Sequence, residues 1–193
     1  GWTGSLHDRL VPTQNYQGFP ETIRCTQSGG TITIQAPNNT QAFWDVCRAN
    51  GFRVDYRMYF ATAHDGQVWM DIEPNNTSWG SNGRFEASIQ VNAGQLQIVM
   101  INSGGNTTFD LDRDVMHTIS MVCEPNADVA SILVEGTKVG EVTYSGGGTT
   151  DRGTFFYIPP SNAANDFAIQ SITTYTMAAA DRDVTLDRVA IQT

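Results

Sequence analysis

Short runs of alternating apolar and polar residues, separated by turn-forming residues, constrain the fold of this chain most strongly. In residues 52–60 every second side chain is apolar, as it is in residues 68–72. Successive side chains of a strand point to opposite faces, so a period of two predicts half-buried β-strands. Similar runs recur along the rest of the chain, at 31–35, 83–91, 95–101, 117–123, 129–135, 138–144, 154–158, 167–177 and 184–192. Many short strands at this spacing predict an all-β, two-sheet antiparallel β-sandwich.

One segment departs from the alternating pattern. Residues 41–49 (QAFWDVCRA) follow Asn and Thr residues that can cap a helix, and they predict the single short helix of the chain. A length of 193 residues suits one β-sandwich domain over 1–193, in which residues 1–20 are expected to be irregular. No apolar run is long enough for a transmembrane helix, so we expect no membrane insertion.

The charge balance restricts the partners of the chain. It carries 11 basic and 20 acidic residues, a formal net charge of −9. Affinity for nucleic acid comes mainly from Lys and Arg side chains that neutralise phosphates. An acidic chain without a basic run therefore predicts no nucleic-acid binding, whereas a neutral polysaccharide or a bound cation suits it better.

Residues 52–73 are further predicted to form a β-hairpin whose turn contains Asp65 and Gly66. A three-residue loop with Gly66 in the left-handed conformation pairs Phe60 with Ile72 and gives the hairpin one apolar face. The opposite face carries charged and aromatic side chains. The predicted ligand-binding residues lie on that face, on a neighbouring strand or in a nearby loop: Arg53, Asp55, Arg57, Tyr59, Trp69, Asp71, Glu73, Trp79, Arg84 and Glu86.

This residue combination is typical of a sugar-binding surface. The rings of Tyr59 and Trp69 stack on sugar rings, and Arg and carboxylate groups bind hydroxyl groups. The alternative interpretation is a set of cross-strand salt bridges on a solvated sheet face, each worth about 0.2–1 kcal/mol.

Catalysis by the same surface stays open. Asp71 and Glu73 lie about 6.5–7 Å apart by strand rise, a separation that suits the two carboxyl groups of a glycosidase. A lyase instead needs a cation and a base, for which Arg57 and Tyr59 are candidates. His64 is expected in solvent at the tip of the hairpin.

Two segments resemble a known superfamily. Residues 117–123 (HTISMVC) and 129–142 (VASILVEGTKVGEV) are similar to the central hairpin of the concanavalin A-like lectin/glucanase superfamily, which includes laminin-G-like and pentraxin-like members. Residues 154–158 and 167–177 resemble its closing strands, so the resemblance extends over roughly residues 52–192. It implies a jelly-roll of two curved antiparallel sheets, in a superfamily whose members bind glycans or act on polysaccharides.

Acidic residues cluster in a predicted loop at 110–114. Ca²⁺ takes several oxygen ligands, often from such clusters together with backbone carbonyls. We therefore expect Asp110, Asp112 and Asp114 to be the metal ligands if calcium binds. No motif in the sequence requires another cofactor.

The three cysteines indicate no zinc site, because no CxxC spacing occurs. Whether Cys25 and Cys47 form a disulfide is left open. Cys123 lies in an apolar run and is expected to be a core thiol.

These observations lead to one leading functional hypothesis and two alternatives. The leading hypothesis is a non-catalytic carbohydrate-binding module, in a secreted protein or at a cell or virion surface. The first alternative is a glycoside hydrolase or polysaccharide lyase that uses Asp71, Glu73, Arg57 and Tyr59. The second is a structural or adhesion module of a surface fibre or virion, and oligomerisation is left open.

Overall fold

The computed structural model describes residues 10–26, 32–35, 41–74, 83–146, 154–158, 164–178 and 182–188. Its elements are β1 (Leu10–Tyr16), β2 (Phe19–Cys25), β3 (Ile32–Gln35), α1 (Gln41–Asn50), β4 (Phe52–Phe60), β5 (Gln67–Ile72), β6 (Gly83–Asn92), β7 (Gln95–Met100), β8 (Thr107–Asp110), β9 (Met116–Cys123), β10 (Val129–Val134), β11 (Thr137–Thr143), β12 (Ser145–Gly146), β13 (Thr154–Ile158), β14 (Phe167–Ala178) and β15 (Arg182–Arg188).

The strands form two antiparallel sheets that enclose one core. The eight-stranded sheet has the order β1-β2-β14-β4-β9-β10-β11, with β15 beside β14. The seven-stranded sheet has the order β3-β13-β5-β6-β7-β8, with β12 beside β6. This architecture confirms the predicted all-β, two-sheet sandwich with one short helix.

The core lies between the two sheets and contains the apolar residues of the alternating runs. Its largest fully buried side chains include Tyr56 and Phe60 of β4, Phe85 of β6 and Phe167 of β14. Burying such a side chain contributes roughly 1.5–3 kcal/mol. The core therefore fixes which face of each strand points inward, and the polar residues between these positions point to the two outer surfaces.

The predicted helix forms as α1 and packs on the sandwich. Trp44 and Cys47 are its buried residues, at 0% and 1% exposure. Gly51 follows the helix with φ of 78°, a left-handed conformation that glycine adopts without a steric penalty. A Cβ at this position would lie 2.6 Å from the carbonyl oxygen of Cys123. No described helix is long and apolar enough to cross a membrane.

All three cysteines are buried, and none of them forms a disulfide. The expectation that Cys123 is a core thiol is confirmed, since it is 0% exposed. Cys25 and Cys47 do not form a disulfide in this structure.

Three hairpins turn through two residues with positive φ, the geometry that matches the twist of antiparallel strands. The turns connect β1 to β2, β6 to β7 and β10 to β11. They are Gln17-Gly18, Ala93-Gly94 and Glu135-Gly136.

Residues 1–20 are predicted to be irregular, and this prediction is wrong for their described part, because residues 10–20 contribute to two strands. β1 pairs with β2 from Leu10↔Cys25 to Tyr16↔Phe19, and β2 continues the sheet beside β14. β1 lies at a sheet edge, where a strand needs few apolar side chains. Its sequence LVPTQNY therefore shows little alternation.

The predicted hairpin of residues 52–73 is also wrong. β4 lies between β14 and β9 in the eight-stranded sheet, whereas β5 lies between β13 and β6 in the seven-stranded sheet. Residues 61–66 therefore cross from one sheet to the other. Gly66 does not have a positive φ; a Cβ there would lie 1.9 Å from Oδ1 of Asn165, so close packing excludes a side chain. Alternation shows which face of a strand is buried but does not identify the neighbouring strand.

Candidate functional site

The crossover separates the predicted ligand-binding residues into two surfaces. Arg53, Asp55 and Arg57 of β4 point outward from one sheet, and Trp69 and Asp71 of β5 point outward from the other. Packed sheets stand about 10 Å apart, so these groups lie on opposite sides of the sandwich. Trp79 lies outside the described residues.

We call the first of these surfaces the Arg57 face and the second the Trp69 face. The Arg57 face is the outer side of β14, β4 and β9, and its members are Arg53, Asp55, Arg57, Thr118, Ser120, Ser171 and Thr173. The Trp69 face is the outer side of β5 and β6, and its members are Gln67, Trp69, Asp71, Glu73, Arg84, Glu86, Ser88 and Gln90.

One guanidinium organises the charged part of the Trp69 face. Arg84 contacts Asp71 at 3.2 Å, Glu73 at 3.6 Å and Glu86 at 2.5 Å. These three carboxyl groups are buried, at 4%, 3% and 7% exposure. The sequence prediction placed the four residues together correctly, but they form a closed cluster rather than an exposed set of binding groups.

Asp71 is the most strongly perturbed carboxyl group of the cluster. Its pKa is raised to about 8, chiefly by burial and also by the nearby carboxylates of Glu73 and Glu86, while Arg84 opposes the shift. The Oδ1 atom of Asp71 has no hydrogen-bond partner among the described residues. Asp71 therefore retains its proton at neutral pH, which reduces the negative charge around Arg84.

Trp69 lies beside this cluster with part of its side chain in solvent. Within the described part of the chain its ring makes no contact with another aromatic ring, and its indole N–H makes no hydrogen bond. The amide groups of Gln67 and Gln90 meet on the same face, where Gln67 Nε2 donates to Gln90 Oε1 at 2.7 Å. The prediction omits Gln67, Ser88 and Gln90, although alternation in residues 83–91 places Ser88 and Gln90 on the same side as Arg84.

On the Arg57 face, Arg53 and Asp55 form a pair. Arg53 Nε lies 2.6 Å from Asp55 Oδ1, and Arg53 Nη2 donates to Ser120 Oγ at 3.3 Å. Arg57 is exposed. The two arginines therefore lie on the same face of β4, but Arg53 is paired with a carboxylate and Arg57 is exposed to solvent.

Tyr59 is buried against other side chains of the protein and is not on the exposed surface. It is 3% exposed and belongs to a small apolar cluster with Ala168, Tyr16 and Phe19. Its hydroxyl group donates to Asp114 Oδ1 at 2.9 Å. The strand hairpin β1–β2 covers this end of β4, which the sequence prediction did not include.

The predicted metal ligands do not converge. The part of the chain that the structure describes holds no group of three or more His, Cys, Asp or Glu side chains placed for a metal ion. Asp110 Oδ1 accepts from Gln97 Nε2 at 2.7 Å, and Asp114 Oδ1 accepts from the backbone N–H of Thr62 at 2.9 Å. Asp110 and Asp114 are held by different partners in different parts of the fold, so Asp110, Asp112 and Asp114 do not form one cation site in this part of the chain.

His64 lies in the protein interior, which contradicts its expected place in solvent. It is 1% exposed and its ring lies 5.2 Å from that of Phe60 and 5.8 Å from that of Phe167. Its Nδ1 accepts from the backbone N–H of Asp166 at 3.1 Å. Burial, together with Arg113, lowers the pKa of His64 to about 4. This histidine is neutral at physiological pH and belongs to the sheet crossover.

The sequence matches no family model and no curated protein. Solved structures are similar in fold. A carbohydrate esterase from the Shiga toxin-encoding bacteriophage phi24B matches with a TM-score of 0.67 and 14% identity, over 93% of this chain and 91% of its own.

Two further similar structures match a larger protein in part. A sialidase has a TM-score of 0.57 and 8% identity, over 91% of this chain and 17% of its own. The binding domain of botulinum neurotoxin DC, in complex with SialylT, has a TM-score of 0.52 and 10% identity, over 94% of this chain and 44% of its own. These similarities confirm the predicted fold, a two-sheet antiparallel β-sandwich.

Proposed function

We propose that this protein binds carbohydrate without catalysing its turnover, and that the binding site is the Trp69 face. The similar structures support a carbohydrate-related function, because they include a carbohydrate esterase and a sialidase. Fold similarity does not distinguish binding from catalysis. The argument for this site therefore depends on its side chains.

The observation that carries the proposal is the state of Trp69. The N–H group of a buried tryptophan usually has a hydrogen-bond partner, and its ring often contacts other apolar side chains. Among the described residues Trp69 has no hydrogen-bond partner for its N–H group and no aromatic neighbour, although part of its side chain is buried. The part of the Trp69 side chain that lies in solvent is the platform that we propose for stacking on a sugar.

Polar groups next to the ring suit the hydroxyl groups of a sugar. Ser88 lies directly opposite Trp69 in the β5–β6 register, but it is 1% exposed and does not reach a ligand at the surface. The amides of Gln67 and Gln90 are partly exposed on the same face. A platform flanked by a few fixed polar groups is the usual composition of a ligand site.

The acidic cluster supports this surface from one side. Each of its three carboxyl groups contacts Arg84 and is less than 10% exposed, as the values of 4%, 3% and 7% show. Held in this way, the carboxyl groups do not face the position of a sugar on Trp69. This geometry favours binding over glycoside hydrolysis.

A polysaccharide-active enzyme remains the second candidate because of Asp71. A protonated carboxyl group beside ionised carboxylates is the arrangement that supplies a general acid in glycosidases. In that case Glu73→Gln abolishes product formation but retains binding. If the protein only binds carbohydrate, neither the wild type nor Glu73→Gln forms product.

The test is a glycan and polysaccharide screen of the protein, with and without calcium and chelator, which records both binding and the release of reducing or unsaturated ends. We expect binding without products. Trp69→Ala should weaken binding at least about tenfold, as for a central aromatic residue of an interface, with the melting temperature nearly unchanged.

Phe109→Ala is the matched control, since Phe109 is a 36% exposed aromatic residue on the edge strand of the same sheet. It should bind as the wild type does. Equal losses for both variants, or a large fall in stability for Trp69→Ala alone, would contradict the proposal. A stable oligomer without glycan affinity would favour a structural module. We propose a secreted or surface location for the protein in either case.

A further inference from the structure

Among the basic residues whose side chains the structure describes, all but one are paired. Arg24 contacts Asp166, Arg48 contacts Asp128, Arg53 contacts Asp55, Arg84 contacts the acidic cluster, Arg113 donates to backbone carbonyls, and Lys138 contacts Glu141. Arg57 makes no ion pair or hydrogen bond with any residue that the structure describes. Its guanidinium is exposed and has no protein acceptor among the side chains that the structure describes.

The position of Arg57 presents this charge on a broad surface. β4 lies between β14 and β9, so Arg57 is not at a sheet edge. It pairs with Ser171 on one side and Thr118 on the other. Both neighbours carry a hydroxyl group and both are partly exposed. Neutral hydrogen-bonding groups therefore flank the guanidinium on both neighbouring strands.

A β-bulge lies next to Arg57. The pairing of β14 with β4 shifts between Ile169 and Ser171, which leaves Gln170 as the extra residue. The Oε1 atom of Gln170 is buried and has no hydrogen-bond partner in the described part of the protein. Bulges redirect side chains and are frequent beside functional sites.

Nearby carboxylates do not compensate Arg57. Asp55 is bonded to Arg53 at 2.6 Å. The carboxylate of Glu135 accepts from the backbone N–H of Thr118 at 2.8 Å. The positive charge of Arg57 is thus available to an anion from outside the chain.

We propose that the Arg57 face binds the carboxylate group of an acidic sugar at the end of a glycan. The planar guanidinium donates two parallel hydrogen bonds to a carboxylate, a geometry that a lysine does not provide. Ser171 and Thr118 are placed to bind the hydroxyl groups next to that carboxylate. The site is separate from the Trp69 face and does not depend on it.

The charge distribution restricts the ligand to a single anionic group. A polyanion gains affinity from several cations along its length, whereas Arg57 is the one unpaired cation among the side chains that the structure describes on this face, in a chain of net charge −9. A polyuronate or a nucleic acid is therefore repelled overall. One terminal acidic sugar on an otherwise neutral glycan matches the surface.

The experiment compares sugars that differ only in the acidic group. Affinities are measured by NMR titration for cellobiouronic acid against cellobiose, and for 3′-sialyllactose against lactose. In at least one pair we expect the acidic member to bind about tenfold more tightly, the difference typical of hydrogen bonds to a charged group. Preference in the first pair assigns a uronate, preference in the second a sialate, and preference in both any terminal carboxylate.

The variants assign the preference to one residue. Arg57→Gln should abolish it and leave the affinity for the neutral sugars unchanged, and Arg57→Lys should retain only part of it. Lys138→Gln removes one positive charge elsewhere and should keep the full preference. The proposal is overturned if the wild type shows no preference in either pair, or if Arg57→Gln retains it. Trp69→Ala separates the two sites, since it should weaken neutral sugars alone.

Discussion

At the scale of single residues, Asp71 has the environment with the clearest measurable consequence. Its pKa rises from 3.8 to about 8 on folding, chiefly by burial. Between these values the folded state holds a proton that the unfolded state has released. Stability contributed by the protonated form is therefore lost as the pH rises from about 4 to about 8.

Asp71→Asn should remove this pH dependence. The amide oxygen still accepts from Arg84, which contacts Asp71 at 3.2 Å in the wild type, and the amide has no proton to lose. Urea unfolding at pH 5 and pH 8 should show the variant gaining on the wild type by about 1 kcal/mol or more per pH unit. A constant difference between the two proteins over this range would show that Asp71 is not buried as described.

The sequence predicted which side of a sheet a side chain points to better than it predicted the solvent exposure of that side chain. Alternation correctly placed Trp69, Asp71, Arg84 and Glu86 on one outer side. It did not show that three carboxyl groups are buried around Arg84, or that Tyr59 lies under the β1–β2 hairpin. Burial on an outer face depends on segments far away in the sequence, which a local pattern does not contain.

At the scale of elements, the crossover of residues 61–66 is held by contacts from two distant segments. Arg113 Nη1 donates to the carbonyl oxygens of Thr62 at 3.0 Å and His64 at 2.6 Å. The backbone N–H of Asp65 donates to the carbonyl oxygen of Ala164 at 2.8 Å. The path between the sheets is therefore fixed by hydrogen bonds rather than by turn sequence.

Arg113→Ala should destabilise the protein by about 1–3 kcal/mol, because the carbonyl groups of the crossover lose a charged donor. The matched control is Arg57→Ala, which removes an arginine without a partner and should change stability by less than about 0.5 kcal/mol. Both values come from urea unfolding at one pH. Similar losses for the two variants would contradict the assigned role of Arg113.

Elements that are defined by contacts close in the sequence could be predicted, and elements that depend on distant strands could not. Ala93-Gly94 and Glu135-Gly136 are local turns between consecutive strands, and both hairpins lie where the sequence indicated them. The Asp65-Gly66 pair has the same composition as a hairpin turn. It occupies a crossover because β4 and β5 each find better partners elsewhere, and no local signal reports that choice.

At the scale of the whole molecule, two buried groups have opposite effects on stability. His64 has its pKa lowered from 6.5 to about 4, so the unfolded state binds its proton first as the pH falls. Stability from His64 is therefore present above pH 6.5 and is lost toward about pH 4. Asp71 loses stability in the other direction, as the pH rises.

The wild type should combine both effects. Between pH 5 and 6.5 the two contributions oppose each other, and stability should change little; between pH 6.5 and 8 only Asp71 acts, and stability should fall. His64→Asn keeps an acceptor for the N–H of Asp166, and its stability should fall over the whole range from pH 5 to 8. Urea unfolding of the wild type, this variant and Asp71→Asn at three pH values tests the profile. A wild type that gains stability from pH 6.5 to 8 would contradict it.

The strand order has a consequence for the synthesis of this protein. Phe60 of β4 pairs with Phe167 of β14, and Phe52 pairs with Thr176. A nascent chain that has reached the end of β13 still lacks the neighbour of its central strand, and its edge is free to pair with other chains. Folding of the larger sheet must therefore wait until translation has passed β14, and fragments that stop before Phe167 should depend on chaperones to remain monomeric.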